Sequence, residues 1–326
     1  MLNEISIEIT RKCANNCIHC SSMSSPTCKE ELSFIKFKEI VEDAQKLGAK
    51  TICFSGGEPF LHKDIVDMIQ FVASLKMQSY IYTSGIIMDN MGKATSIDKE
   101  ILTKISPFVT KLIFNVEAGT HKTYDLIMGT SDCFIHLLNS IESASKASIK
   151  VEAHFVPMKI NINEIDEVVE LCENLNISKL SFLRLVVHGR AKKNQEQIEL
   201  SPSEYLHLKD RLQKIKYNSK IDIRIGIPLD SKKSCIKCEA ASGKLNIKYD
   251  GYVFPCEVFK NNATGIKGND LFPNNIHDSS LLDIYRSSTY LEHVRSCAKK
   301  FIESNLSETC LGQHLINTKG NCDLYE

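Results

Sequence analysis

The sequence lacks the features of an exported, membrane-spanning or nucleic-acid-binding protein. No apolar run in its 326 residues approaches the ~18 residues that a membrane span needs. The chain leads directly from Met1 into an apolar alternating run, residues 5–9, and carries no signal peptide. Its 40 basic side chains balance 40 acidic ones, so no net charge attracts it to nucleic acid or to an anionic membrane. We therefore expect a cytoplasmic protein without a nucleic-acid or membrane partner.

Internal repeats and low-complexity linkers are also lacking, and 43% hydrophobic residues are enough to bury a sizeable core. Cysteine, in contrast, is abundant, with 13 residues. In an exported protein so many cysteines would indicate disulfides. Without an export signal, they indicate metal ligands in a reducing cytoplasm.

Three of these cysteines, Cys13, Cys17 and Cys20, are spaced Cys-x3-Cys-x2-Cys. They directly follow the run 5–9, whose alternation predicts a strand with one buried face. Thiolates this close suit an iron-sulfur cluster or zinc. One interpretation is a structural zinc loop with His19 as the fourth ligand. The other is a metal centre on which three thiolates leave one coordination position open.

A second motif, Ser55-Gly56-Gly57-Glu58-Pro59, follows another short apolar strand, residues 51–54. Two glycines let the backbone approach a ligand without interference from a Cβ atom. Glu58 adds a fixed acceptor that suits an ammonium group. The motif therefore indicates a pocket for an amino acid, which a structural zinc loop does not need.

With both motifs, the chain resembles the radical S-adenosylmethionine enzymes. The resemblance implies that Cys13, Cys17 and Cys20 hold a 4Fe-4S cluster whose fourth iron chelates the amino and carboxylate groups of S-adenosylmethionine. Residues 56–59 would receive the amino group of its methionine moiety. One electron then cleaves S-adenosylmethionine to methionine and a 5′-deoxyadenosyl radical. A flavodoxin- or ferredoxin-type reductant is the implied electron donor.

Further site residues follow from the same resemblance. Ser84 and the pair Asn115 and Glu117 would face the ribose and the carboxylate of S-adenosylmethionine, although Ser84 stands for the family's Asn and Asn115 for its Ser. His19 would pack near the adenine and not bind metal. Arg184, at a strand end, would neutralise a carboxylate. Polar caps of strand ends and a surface arginine are the alternative interpretations of these residues.

Six strand-then-helix units follow one another between residues 5 and 190. Such alternation predicts a parallel sheet with right-handed crossovers. The resemblance makes this α/β fold a partial (β/α)6 TIM-like barrel, which we place in residues 1–200.

Residues 201–326 do not continue this alternation of strands and helices. A helix start at Ser201, a strand at 221–225 and a hairpin around Asp250-Gly251 are predicted. Cys235-x2-Cys238 and Gly251-x4-Cys256 resemble the opening of a SPASM or twitch extension, although the tight run of four cysteines of a full SPASM domain is missing. The resemblance implies one auxiliary 4Fe-4S cluster, with at least one candidate to spare among Cys235, Cys238, Cys256, Cys310 and Cys322. A rubredoxin-like or zinc-ribbon site is the alternative.

The resemblance implies an enzyme that abstracts hydrogen from an unactivated C–H bond, with a peptide as the substrate in peptide modification. Radical transformation of a small molecule, such as a nucleotide or a sugar, is the main alternative. A non-catalytic iron-sulfur or zinc scaffold is the alternative of another class. The intact Gly56-Gly57-Glu58-Pro59 motif argues against a scaffold, because a scaffold needs no amino-acid pocket.

Overall fold

A large, mostly parallel sheet organises the chain in the computed structural model, which describes residues 1–226, 229–230, 238–260, 271–303 and 310–318. The strands are β1 (Glu4–Thr10), β2 (Thr51–Gly56), β3 (Gln78–Thr83), β4 (Ile86–Met88), β5 (Ala94–Ser96), β6 (Lys111–Asn115), β7 (Val151–Phe155), β8 (Lys179–Phe182), β9 (Asp222–Ile225), β10 (Lys244–Ile247) and β11 (Val253–Phe254). Nine of these described strands form one sheet in the order β11-β10-β1-β2-β3-β6-β7-β8-β9, while β4 and β5 pair separately.

The six strands predicted in the N-terminal part are confirmed as β1, β2, β3, β6, β7 and β8, each parallel to its neighbours. The predicted strand at 221–225 is confirmed as β9, which adds to the edge of this sheet beside β8. The predicted hairpin is confirmed as β10 and β11, and β10 pairs in parallel with β1 at the other edge. The fold is therefore a partial TIM barrel, with its sheet extended at both edges by strands of the C-terminal part.

Helices cover this sheet. They are α1 (Phe34–Lys46), α2 (Ile65–Ser74), α3 (Lys99–Ile105), α4 (His121–Met128), α5 (Phe134–Lys146), α6 (Ile165–Asn174), α7 (Arg190–Lys193), α8 (Gln195–Ile198), α9 (Pro202–Asn218), α10 (Leu281–Ser287), α11 (Thr289–Glu303) and α12 (Leu311–Asn317). The predicted helix start at Ser201 is confirmed, and Ser201 and Glu204 form a capping box in which each side chain accepts from the other residue's backbone N–H. The β4–β5 hairpin and α4 were not predicted. None of the helices in the described ranges is long and apolar enough to cross a membrane.

Strand β1 is buried on both faces, so the prediction of one buried face was wrong. Ile5, Ile7 and Ile9 belong to the hydrophobic core, as their alternation indicates. Ser6 and Glu8, the intervening polar residues, are also buried, at 4% and 0% exposure. The reason is that the sheet curves into a barrel, whose interior removes the second face from water.

Candidate functional site

The loops after β1, β2 and β3 border a cavity of about 190 Å³, which we call the first cavity. Cys13, Cys17 and Cys20 line it from the loop after β1. Gly56 and Gly57 line it from the end of β2. The two predicted motifs meet because β1 and β2 are parallel neighbours whose carboxyl ends lie at the same edge of the sheet.

The three thiols of the first motif are free. Burial, and then the negative charge of Glu58, raise the pKa of the Cys13 thiol far above its usual value. Burial, followed by the charges of Cys13 and Cys20, likewise raises the pKa of Cys17. Three thiolates in this setting repel one another. They need a positively charged group between them to stay deprotonated.

The geometry does not match a site for a single metal ion. In the described ranges, no three His, Cys, Asp or Glu side chains lie close enough together to hold one ion. The thiols of Cys13, Cys17 and Cys20 instead stand around the wall of the first cavity. A structural zinc site would draw its ligands to within about 2.3 Å of one point. Among the described residues, the three thiols are not gathered around one point in this way.

Gly56 and Gly57 press against the backbone of the cysteine loop. A Cβ atom on Gly57 would lie 2.1 Å from the carbonyl oxygen of Lys12, and one on Gly56 would lie 2.2 Å from that of Thr10. The Gly57 N–H donates to the Thr10 carbonyl at 2.7 Å, and the Glu58 N–H donates to the Lys12 carbonyl at 2.8 Å. The two loops can approach this closely only where no side chain intervenes.

Glu58 lies behind the cavity wall, fully buried, with its carboxylate bonded within the protein. Its Oε2 accepts from the backbone N–H of Ser84 at 2.9 Å and from the Ser84 hydroxyl at 2.7 Å. Its Oε1 accepts from the Thr83 hydroxyl at 2.7 Å and from the Phe60 N–H at 3.3 Å. Burial raises its pKa, and these hydrogen bonds oppose that effect. Glu58 thus fixes the loop after β3, while Pro59 begins the short 3-10 helix Pro59–Leu61.

The structure places four other predicted residues at or beside the first cavity. Ser84, Asn115 and His19 line it. Glu117 is buried, accepts from the Val156 N–H at 2.9 Å, and lies 3.5 Å from His19 Nε2. The His19 ring is therefore held against Glu117 in the lining of the first cavity.

Arg184 lies elsewhere, in a second cavity of about 810 Å³. Its Nη2 donates to the Cys310 sulfur at 3.1 Å. Arg184 is not among the residues that line the first cavity, and its predicted role, neutralising a carboxylate, stays a prediction. The sequence could not distinguish the two positions, because Arg184 and Cys310 are 126 residues apart.

The second cavity is also lined by Cys238, Cys256 and Cys310, three of the predicted auxiliary ligands. Burial, and then charges that include the other cysteines of this group, raise the pKa values of the Cys238 and Cys256 thiols. Cys235 and Cys322 lie outside the described residues. Ser55 and Tyr82 line both cavities, so the two cavities adjoin at these side chains.

Several buried polar atoms around the first cavity have no hydrogen-bond partner among the described residues. They include both amide atoms of Asn15, Nδ1 of His19 and Oγ of Ser24, and all three residues line the cavity. A buried polar group without a partner costs about 1–3 kcal/mol. Such a cluster indicates a polar ligand in this cavity.

Arg190 was missed by the sequence analysis. Its Nε donates to the carbonyl oxygen of Cys17 and its Nη2 to that of Ser24, each at 2.7 Å, while its backbone N–H donates to the Cys20 carbonyl at 3.0 Å. Gly189 precedes it with a φ of 56°, and a Cβ atom there would lie 2.5 Å from the Ser21 carbonyl oxygen. The sequence signal that could have identified Arg190 is the pair Gly189-Arg190, which follows the barrel strand β8. Lys260, which also lines the first cavity, was missed too.

We expect Arg190→Met to loosen the cysteine loop. The variant removes both side-chain bonds and leaves the two carbonyl groups without these donors, at about 1–3 kcal/mol each where they stay buried. Thermal unfolding of the protein should shift to lower temperature, and metal held by the loop should be released faster to a chelator. The matched control is Arg286→Met, at an exposed arginine of α10. Equal effects of Arg190→Met and Arg286→Met would show that Arg190 does not hold the cysteine loop in place.

Two family models match the chain. The model of the Radical SAM superfamily matches residues 7–172, just over half of the chain. The model of SPASM, an iron-sulfur cluster-binding domain, matches residues 238–312. The first match contains Cys13, Cys17 and Cys20, and the second contains Cys238, Cys256 and Cys310.

Individual proteins show more distant similarity. The chain is 28% identical to the Fe-coproporphyrin III synthase of Methanosarcina barkeri over 186 residues, which are 57% of this chain and 44% of that relative. It is 25% identical to the PqqA peptide cyclase of Rhizobium meliloti over 312 residues, which are 91% of this chain and 79% of that relative. The chain thus spans less than half of the first relative's length.

Among solved structures, Streptococcus suis SuiB bound to the precursor peptide SuiA matches with a TM-score of 0.69 at 17% identity. The match covers 91% of this chain and 67% of SuiB. At this identity the likeness shows the fold alone. It extends through most of the barrel and the C-terminal part, which agrees with both family models. The chain belongs to the Radical SAM superfamily, binds S-adenosylmethionine and a 4Fe-4S cluster, and carries a C-terminal SPASM domain that binds iron-sulfur.

Proposed function

We propose that this chain cleaves S-adenosylmethionine reductively and uses the resulting 5′-deoxyadenosyl radical to abstract hydrogen from an unactivated C–H bond of a peptide. One observation carries the proposal. Three free thiols and the side-chain-free backbone of Gly56 and Gly57 line the same small cavity. When bound together there, the cluster and S-adenosylmethionine supply a 5′-deoxyadenosyl radical.

The residues of the first cavity fit these two groups. As thiolates, Cys13, Cys17 and Cys20 are soft ligands for iron. A positively charged iron centre would offset the repulsion between their negative charges. The unpartnered polar atoms of Asn15 and His19 offer both hydrogen-bond donors and acceptors to a polar ligand. The absence of side chains on Gly56 and Gly57 lets their backbone lie against the cysteine loop, so that both motifs border the same cavity.

We therefore assign roles on this basis. Cys13, Cys17 and Cys20 hold the cluster, and the Gly56-Gly57 backbone receives the methionine moiety. Ser84 and Asn115 line the nucleoside part of the site. Glu58 and Glu117 act as positioning residues, because Glu58 fixes Ser84 and Glu117 fixes His19.

The second cavity is the proposed place of the auxiliary cluster and of the substrate. Cys238, Cys256 and Cys310 would supply three ligands of one auxiliary 4Fe-4S cluster, and Cys235 or Cys322 the fourth. The cavity volume, about 810 Å³, is large enough to enclose several residues of a peptide. Its contact with the first cavity at Ser55 and Tyr82 would let a substrate carbon reach the S-adenosylmethionine site.

We place the boundary between the two proposed domains at residue 200, with the barrel in 1–200 and the auxiliary-cluster part in 201–326. We also propose a flavodoxin- or ferredoxin-type protein as the electron donor and the cytoplasm as the location. The free thiols of the described cysteines support a reducing compartment.

A peptide is favoured as the substrate because the similarity to PqqA peptide cyclase spans 91% of this chain. The fold shared with SuiB, which was solved with its precursor peptide, agrees with this choice. A small molecule is the second candidate, since the Fe-coproporphyrin III synthase has the higher identity over a shorter region. Crosslinking, epimerisation and side-chain oxidation are all compatible with the site.

The first experiment is anaerobic reconstitution, followed by iron counting and incubation with S-adenosylmethionine and dithionite. We expect 5′-deoxyadenosine and about eight irons per chain, as two four-iron clusters require. Tightly held zinc without release of 5′-deoxyadenosine would instead support a non-catalytic zinc scaffold. To identify the substrate class, deuterated peptides and deuterated small molecules are compared, and we expect a peptide to transfer deuterium into 5′-deoxyadenosine. Transfer from a small molecule but from no peptide would favour the second candidate.

A further inference from the structure

Lys260 is a lysine buried in the wall of the first cavity, with 9% of its surface exposed. It belongs to the part of the chain that the SPASM model matches, four residues after Cys256. Lysine is almost never buried unless it is paired or has a specific partner. Its position in a cavity otherwise built from the barrel therefore needs an explanation.

The described contacts of Lys260 explain only part of its position. Its Nζ donates to Glu8 Oε1 on β1 and to the hydroxyl of Ser22 in the cysteine loop, each at 2.8 Å. Glu8 is fully buried, and its other oxygen, Oε2, has no hydrogen-bond partner among the described residues. Removing such a pair from water costs several kcal/mol per ion, so stability alone is a weak reason to keep it.

Besides Lys260, the described lining of the first cavity contains one arginine. Arg190 also lines it, but its Nε and Nη2 donate to the carbonyl oxygens of Cys17 and Ser24. His19 lies against Glu117. The ammonium group of Lys260 has three N–H donors, and Glu8 and Ser22 take two of them. An anionic group in this cavity would meet Lys260.

We propose that Lys260 binds the α-carboxylate of the methionine moiety of S-adenosylmethionine, so that the SPASM part contributes a residue to the S-adenosylmethionine site. The inference rests on the proposed function, in which the first cavity holds this ligand. A hydrogen bond between an ammonium and a carboxylate is about twice as strong as one between neutral groups. Glu8 and Ser22 then act as positioning residues that aim the ammonium group.

The test compares two ligands on the reconstituted protein under anaerobic conditions. One is S-adenosylmethionine, and the other is decarboxylated S-adenosylmethionine, which lacks the proposed partner of Lys260. We expect Lys260→Met to weaken binding of S-adenosylmethionine about 10- to 100-fold in equilibrium dialysis. Binding of the decarboxylated ligand should change little. The matched control is Lys193→Met, at an exposed lysine of α7, which should leave both affinities unchanged.

Lys260→Met leaves Glu8 buried without its cation, which can prevent folding. The double variant Glu8→Gln, Lys260→Met removes both charges and should show the same selective loss. An equal loss for both ligands, or no loss for either, would overturn the proposal. A wild-type protein that binds neither ligand and releases no 5′-deoxyadenosine would instead contradict the proposed function.

Discussion

The triple variant Cys13→Ala, Cys17→Ala, Cys20→Ala should release no more 5′-deoxyadenosine than a protein-free control. All three thiols line the first cavity, so the variant removes every cysteine ligand that we assign to its cluster. Iron should fall from about eight atoms per chain to about four, because the second cavity has its own cysteines. Iron counting and chromatography of the reaction mixture measure both quantities.

Cys53→Ala, Cys172→Ala is the matched control for this variant. Both residues are buried cysteines outside the two cavities, at 1% and 0% exposure, and belong to packed strand and helix faces. The control should keep its iron and its turnover, apart from a modest loss of stability. If the triple variant keeps about eight irons, or still cleaves S-adenosylmethionine, the assignment of the first cavity fails.

Gly57→Ala should reduce release of 5′-deoxyadenosine by about 100-fold or more. The added Cβ atom would lie 2.1 Å from the Lys12 carbonyl oxygen and 2.7 Å from its carbon, both of which are backbone atoms that no rotamer change can move. The loop after β2 must therefore shift away from the cysteine loop. A displacement of about 1 Å in a reacting site can cost about 100-fold in rate.

The control for Gly57→Ala is Gly92→Ala, in the turn between β4 and β5. A Cβ atom on Gly92 would meet no heavy atom within 4 Å, although its φ of 77° adds some backbone strain. We expect Gly92→Ala to cost some stability and to leave turnover near the wild-type rate. Equal turnover in the two variants would show that the close approach of the two loops is not needed.

The sequence by itself determined those parts of the fold that are encoded locally. The alternation of Ile5, Ile7 and Ile9 predicts β1, and the Ser201 capping box predicts the start of α9, because neighbouring residues suffice to form them. The cysteine spacing and the two glycines were readable for the same reason. Each motif lies within a few residues, and its chemistry depends on residue types more than on distant contacts.

Only the tertiary structure decided which distant residues meet these motifs. Glu8 and Lys260 pair across 252 positions of sequence, and Arg184 reaches Cys310 across 126. No local pattern encodes such contacts, so neither the contact between Arg184 and Cys310 nor a role for Lys260 was predicted. Nor could strand propensity show that β9 and β10 join opposite edges of the barrel sheet. These placements depend on how the chain buries its charges and pairs its strand edges once the barrel has formed.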